Sequence, residues 1–171
     1  MFQSSHFFPP YKSHRSKGKT RPFTVYLIRG KSTVWQIIKK LIESYGYKVV
    51  VLREGNDDAF VHTEHKEMIY WECDCAIAIL TADEKLQNGN FITDLNVYFE
   101  LGFIQALIDA EYCNHLFKEP IILLKQENVL IPNNISELTC LEFNKNKIQD
   151  LDESLHSNLD QIYNKILTFY E

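Results

Sequence analysis

Short apolar runs with strand character alternate with helical stretches along this chain, and no other feature of the sequence restricts the fold as strongly. The run at residues 73–80 is almost continuously apolar, which is typical of a strand buried inside a parallel sheet. Strands that alternate with helices through short links form parallel sheets covered by helices on both faces. We therefore predict an α/β three-layer sandwich with a roughly five-stranded parallel sheet, whose strands lie at residues 23–28, 47–52, 73–80, 120–124 and 138–143.

Capping residues set the expected limits of the helices. Ser32 or Thr33 can cap a first helix that ends at Gly46, and Asp94 can cap a helix that runs to about Ala110. Two further helices are predicted at residues 62–71 and 151–170, and polar loops at residues 53–61 and 81–93.

Length and charge indicate one domain behind a short tail. The chain has 171 residues and a formal net charge of -5, which argues against general binding of nucleic acid. Residues 1–21 are predicted to be a basic flexible tail, because five basic residues and no acidic residue lie between Lys12 and Arg21. Residues 22–171 form the predicted α/β domain. Neither a secretory signal nor an apolar run of about 18 residues is found, so we expect a cytoplasmic protein with no membrane partner.

A single glutamate interrupts the helix that follows Asp94. Between residues 95 and 108 the only charged residue is Glu100, in a helix that is apolar on nearly every face and therefore expected to be buried. Asn96 precedes Glu100 by one turn, on the same face. Because an unpaired buried carboxylate is costly, Glu100 is either an acid/base or sugar-stabilising group facing a cleft, or a structural group bonded to an arginine or a backbone amide.

Ligands of parallel α/β folds bind beyond the carboxyl ends of the strands, where the strand order reverses. We expect the Glu100 helix to meet two strand ends there, one carrying Thr81 and Asp83 and the other Arg29, Gly30, Lys31 and Ser32. Two cations, a glycine and a helix N-terminus favour an anion such as phosphate, with a plain turn as the alternative. The upstream glycine of an NTP-hydrolysing phosphate loop is absent.

Metal ligation is not predicted. The four cysteines do not have the spacing of a structural zinc site, and no further ligand set completes a cluster of His62, Glu64 and His65. Cys73 and Cys75 are two residues apart in a predicted strand, which would place both on one face of the sheet.

Three segments together resemble the TIR-like nucleotide-binding domain of bacterial anti-phage systems that use cyclic-oligonucleotide signalling. They are TVYLIRGK at residues 24–31, AIAILTADE at residues 76–84 and NVYFELGF at residues 96–103. The Asn-x-x-x-Glu-Leu-Gly helix is the most specific of them, and residues 129–135 are similar to a later family segment. The resemblance covers about residues 23–170 and implies a flavodoxin-like or TIR-like fold. Arg29 stands where the family usually has histidine, and Ala82-Asp83-Glu84 replaces Pro-Asp-Asp.

The resemblance implies an NAD+ glycohydrolase that cleaves the nicotinamide–ribose bond and acts as an effector in anti-phage defence. Glu100 matches the catalytic glutamate of the family. NAD+ or a related nucleotide would be the substrate, with no cofactor and no metal, and the residues expected to bind it are Arg29, Gly30, Lys31, Ser32, Thr81, Asp83 and Asn96. The resemblance also implies a homo-oligomer or filament on activation, a separate sensor protein, and no specific nucleic-acid partner.

Two alternatives remain open on the sequence. One is a nucleoside ribosyl- or deoxyribosyltransferase, which resembles this chain in fold and uses a glutamate in a similar helix, but needs no pyrophosphate contacts. The other is a non-catalytic TIR-type module that only assembles or senses nucleotides.

Overall fold

The computed structural model of the protein describes residues 22–51, 73–112 and 121–170. The predicted basic tail, the predicted loop at residues 53–61 and the predicted helix at residues 62–71 lie outside the described residues. No helix in the described ranges is both long enough and apolar enough to span a bilayer.

The described chain alternates strands and helices as the sequence predicts. The strands are β1 (Thr24–Ile28), β2 (Lys48–Val51), β3 (Cys75–Leu80), β4 (Glu84–Lys85), β5 (Phe91–Ile92), β6 (Ile121–Gln126) and β7 (Thr139–Phe143). The α-helices are α1 (Val34–Ser44), α2 (Leu95–Tyr112) and α3 (Asp152–Tyr170), with short 3-10 helices at Asn133–Ile135 and Ile148–Leu151.

One parallel sheet forms the centre of the domain. Its strand order is β2-β1-β3-β6-β7, and every neighbouring pair runs parallel. The chain adds β2 on one side of β1 and then crosses to place β3 on the other side, so the strand order reverses between β1 and β3. This is the doubly wound, flavodoxin-like arrangement, and the predicted α/β fold with a five-stranded parallel sheet is confirmed.

Alternate residues of each strand enter two separate cores. Val25 and Leu27 of β1 face α1 and α3, where they pack against Ile38, Leu155 and other buried aliphatic side chains. Tyr26 of β1 faces the opposite side, against α2 and the alanines of β3. Burial of each large apolar side chain contributes about 1.5–3 kcal/mol, so both faces hold their helices firmly.

The predicted polar loop at residues 81–93 is partly wrong, because it contains a small hairpin. β4 and β5 pair antiparallel, with Glu84 opposite Ile92. Gly89 supplies the left-handed conformation that the turn requires, with φ of +87°, and the N–H of Leu86 donates to the carbonyl of Asn90. An Asn-Gly pair at residues 88–89 is a hairpin signal that the strand-and-helix pattern did not take into account.

Two further expectations are corrected. Helix α2 is not buried on all sides: Leu95 and Phe99 are each 64% exposed, because α2 lies on the outside of the sheet and turns only one side inward. Cys73 and Cys75 do not share a face of the sheet. β3 begins at Cys75, which packs toward α1 and α3, whereas Cys73 precedes the strand and packs in the core on the α2 side.

Candidate active site

Helix α2 begins at the carboxyl edge of the sheet, beside the point where the strand order reverses. Asp94 caps it as predicted: its Oδ1 accepts the backbone N–H of Asn96 at 2.9 Å, and its carbonyl accepts the N–H of Val97 at 2.9 Å. Glu100 lies six residues further on, about 9 Å along the helix axis at 1.5 Å per residue. The glutamate therefore lies below the edge of the sheet, under the helix.

The side chain of Glu100 points inward. It is 7% exposed, in contrast to its exposed neighbour Phe99, and the hydroxyl of Tyr26 donates to its Oε2 at 3.4 Å. Tyr26 belongs to β1 and is itself 1% exposed. The structure thus joins the middle of α2 to β1, an inner strand of the sheet, through a tyrosine–carboxylate contact.

A second carboxylate, Asp83, bonds several chain segments at the carboxyl edge of the sheet, where the strand order reverses between β1 and β3. The Thr81 hydroxyl lies 2.9 and 3.0 Å from its two oxygens, and the Thr93 hydroxyl is 3.2 Å from Oδ2. The backbone N–H of Asp94 donates to the same Oδ2 at 3.0 Å. Asp83 therefore holds the end of β3 against the start of α2, and its predicted contact with substrate stays a prediction.

Gly30 closes this cluster from the side of β1. A Cβ atom at this position would lie 2.5 Å from Oδ2 of Asp83 and 3.3 Å from Cβ of Asp94. A side chain would collide with the carboxylate network, so the absence of one lets β1 approach the loop that follows β3. Glycine is needed here for close packing, because the added atom meets a side chain that is already held on several sides.

The two predicted cations flank Gly30 but differ in their surroundings. Lys31 is exposed, with 76% of its side chain accessible, and its Nζ lies 3.5 Å from Oδ2 of Asp94. The guanidinium of Arg29 stacks 4.9 Å above the ring of Trp35, and its Nη1 donates to the carbonyl of Gly30 at 3.3 Å. Lys31 thus leans toward the start of α2, whereas Arg29 packs on the first turn of α1.

Ser32 and Asn96 each lie at the start of a helix. The Oγ of Ser32 accepts the backbone N–H of Val34 at 3.4 Å, while Thr33 makes no capping bond through its side chain. Asn96 is exposed although it is one turn from buried Glu100. The two residues share a side of α2, with Asn96 nearer the edge of the sheet and Glu100 beneath it.

The structure brings most of the predicted site residues to the same edge of the sheet. Gly30, Lys31 and Asp83 meet at Asp94, Thr81 bonds Asp83, and Glu100 lies deeper, against Tyr26. Sequence reasoning missed Tyr26 and Thr93. A signal for Tyr26 was present, since a phenolic hydroxyl in the middle of a buried strand needs a buried polar partner.

These features define a doubly wound parallel α/β domain. It has a buried carboxylate on a helix close to the point where the strand order reverses, and a small polar cluster at the carboxyl edge of the sheet. The chain belongs to the family described as CAP12/Pycsar effector protein, TIR domain, whose sequence model matches residues 24–145. The resemblance seen in the three sequence segments is thereby confirmed. A comparison with curated protein sequences gives no match.

Two solved structures are similar in overall chain arrangement. The Clostridium botulinum CMP N-glycosidase BcmB shares 19% identity at a TM-score of 0.47, over 75% of this chain and 98% of that chain. A response regulator receiver domain protein of Bacillus halodurans shares 19% identity at a TM-score of 0.42, over 83% of this chain and 97% of that chain. Both scores are low, so neither resemblance bears on the substrate.

Proposed function

We propose that this TIR-family effector is an NAD+ nucleosidase, which breaks the bond between nicotinamide and ribose, and that Glu100 is its catalytic residue. The observation that carries the proposal is the position of Glu100, a carboxylate turned inward from a rigid helix and 7% exposed. A surface carboxylate would be solvated by water, whereas one held beneath a helix offers a fixed negative charge to a substrate.

The chemistry needs little more than such a charge. When the C1′–N bond of NAD+ breaks, its electron pair moves to the pyridinium nitrogen and nicotinamide leaves as a neutral molecule. The ribose is left with oxocarbenium character, which the carboxylate of Glu100 stabilises, either as an ion pair or by forming a transient bond to C1′. Water then adds to C1′ and releases one proton. A strong general acid is unnecessary because the leaving group departs uncharged.

The polar cluster at the edge of the sheet supports binding of the rest of the dinucleotide. Lys31 is exposed and lies at the N-terminal end of α1, where an anion is favoured. In the proposal, Lys31 exchanges its contact with Asp94 for the pyrophosphate, and Arg29 supplies a second cation on the other side of Gly30. Asn96, one turn above Glu100, is placed by the proposal beside the ribose hydroxyls.

The proposal extends to the setting of the reaction, in which the chain acts in the cytoplasm against phage after a separate sensor protein triggers its self-association. Sites of TIR-type domains are often completed across an assembly interface. The assay must therefore cover a wide range of protein concentration, since a dilute protomer can lack part of its site.

The test is to incubate the full chain with NAD+ and to measure NAD+ loss and nicotinamide release, with identification of the ribosyl product. Glu100→Gln should lower turnover at least about 100-fold, the scale found when a principal electrostatic group is removed. Glu153→Gln is the matched control, because it removes one negative charge from an exposed position of α3, the helix that packs on the opposite face of the sheet. Its turnover should equal that of the unmodified chain.

Two outcomes would contradict the proposal. Full turnover in Glu100→Gln would remove the catalytic role of the glutamate. Base release from a nucleoside or deoxynucleoside, without NAD+ loss at any protein concentration, would assign the chain to the nucleoside transferase class instead.

A further inference from the structure

The candidate catalytic carboxylate, Glu100, is contacted from the sheet by Tyr26, which lies on the inner strand β1. Tyr26 pairs in register with Val50 of β2 and Ala76 of β3, so it is fixed from both sides by the sheet. Its side chain lies on the α2 face and is 1% exposed. Ala76 has no bulk beyond Cβ, which leaves room for the phenol ring beside it.

The hydroxyl group is the distinctive part of this side chain. The apolar strand residues packed on this face are Ile28, Ala76, Ala78, Leu80, Ile121 and Leu123. Phenylalanine would fill the same space with no polar atom to satisfy. The tyrosine hydroxyl adds a polar atom in an apolar core, and it donates to Oε2 of Glu100 at 3.4 Å.

We propose that Tyr26 is a positioning residue, whose hydroxyl bonds Oε2 of Glu100 and so holds the carboxylate in the orientation in which it faces the ribose. The inference rests on the proposed function of Glu100 as the group that stabilises the ribosyl cation. A glutamate has three side-chain torsions, and one donor on a rigid strand is enough to restrict the last of them. The 3.4 Å separation is long for a hydrogen bond, and such contacts in catalytic sites shorten when the substrate is bound.

A positioning role, a packing role and a substrate-binding role predict different effects of losing the hydroxyl on kcat, on KM and on the amount of folded protein. In this proposal the Tyr26 hydroxyl contacts the carboxylate of Glu100 and makes no contact with the sugar. Its loss should therefore slow the chemical step and leave the substrate's ground-state affinity nearly unaltered. A residue that served packing alone would change the amount of folded protein, and each folded molecule would turn over as before.

The experiment is to measure kcat and KM for NAD+ in Tyr26→Phe, with the folded fraction determined by chemical denaturation. We expect kcat per folded molecule to fall about tenfold or more, the effect of losing one hydrogen bond to a charged group, with KM within about twofold of its original value. In the double variant Tyr26→Phe/Glu100→Gln, turnover should be no lower than in Glu100→Gln alone, because Tyr26 acts through the glutamate.

Tyr47→Phe is the matched control. The Tyr47 hydroxyl also bonds a carboxylate, that of Asp160, but Tyr47 packs in the core on the other face of the sheet. We expect Tyr47→Phe to have the kcat of the original chain. That result would show that loss of a tyrosine–carboxylate contact elsewhere in the fold does not slow the reaction.

The outcomes separate this inference from the proposed function. If Glu100→Gln is inactive and Tyr26→Phe retains full kcat, the positioning role is wrong and the function stands. A Tyr26→Phe protein with raised KM and unchanged kcat also overturns it, since that result assigns Tyr26 to substrate binding. If Glu100→Gln is itself fully active, the proposed function fails first.

Discussion

A Cβ atom on Gly30 would lie 2.5 Å from Oδ2 of Asp83, so the chain leaving β1 and the carboxylate that follows β3 are packed as closely as a glycine allows. These two segments border the point where the strand order reverses. The contact therefore brings the ends of β1 and β3 close together, and it requires that the side chain of residue 30 is a single hydrogen atom.

Gly30→Ala should destabilise the protein by about 1–3 kcal/mol, the usual cost of overpacking a close contact. Asp83 cannot turn aside cheaply, because Thr81, Thr93 and the backbone of Asp94 all bond its carboxylate. The free energy of unfolding in urea measures the effect. Gly102→Ala is the control, since nothing lies within 4 Å of a Cβ atom there and alanine is the better helix former by up to about 1 kcal/mol. Equal stability changes at the two glycines would contradict this account.

Asp94→Ala should cost about 1 kcal/mol of stability through loss of the N-cap of α2. Asp94→Asn should restore nearly all of it, because an asparagine oxygen can accept the N–H of Asn96 as the aspartate does. The contact of Asp94 with Lys31 should add little, since Lys31 is 76% exposed and such pairs are weak. Thermal or urea unfolding of the two variants tests the point, and a loss in Asp94→Asn as large as that in Asp94→Ala would assign the effect to charge.

Arg29→Ala should raise KM for NAD+ more than it lowers kcat, because phosphate contacts are made equally in the ground and transition states. The expected loss is about 1.5–3 kcal/mol of binding free energy, the range for hydrogen bonds to charged groups. Lys31→Ala should act in the same direction with a smaller effect, given its exposure. Lys40→Ala, an exposed change on α1, serves as the control. Unaltered NAD+ kinetics in Arg29→Ala would contradict the proposal that the pyrophosphate binds beside Arg29.

Alkaline pH should weaken the packing of α3 against the end of α1. Burial, and then a hydrogen bond to an aspartate, raises the pKa of Tyr45 and of Tyr47 above the ordinary value of 10.0. The folded protein keeps these protons to higher pH than the unfolded chain does. The stabilisation is therefore complete below about pH 10 and is lost as the pH rises toward the folded pKa values.

The double variant Tyr45→Phe/Tyr47→Phe tests this pH dependence. Its free energy of unfolding should fall less between about pH 9 and about pH 11 than that of the original chain, because two of the titrating groups are gone. Guanidinium unfolding across that interval measures the difference. If the free energy of unfolding fell equally with pH in the two proteins, groups other than Tyr45 and Tyr47 would be responsible for the loss of stability at alkaline pH.

The architecture could be predicted from the sequence because it depends on local patterns. Apolar runs such as residues 75–80 are long enough for strands only, and the capping residue Asp94 fixes the start of α2 by a bond to a neighbour two residues away. The small hairpin at residues 84–92 escaped prediction, since each of its strands has only two residues. A pattern that short has no measurable periodicity.

The sequence by itself determined that one carboxylate would lie in an apolar helix, and that glycine, cations and hydroxyl residues would follow the first and third strands. Only the tertiary structure decided which of these residues touch. The contact of Tyr26 with Glu100 joins positions 74 residues apart, and that of Asp83 with Gly30 depends on how closely two strand ends approach. Whether two atoms form a hydrogen bond or overlap depends on differences of a few tenths of an ångström in their separation. Helical and strand periodicity fix which side of an element a residue faces, whereas packing of the sheet against α2 fixes what it meets.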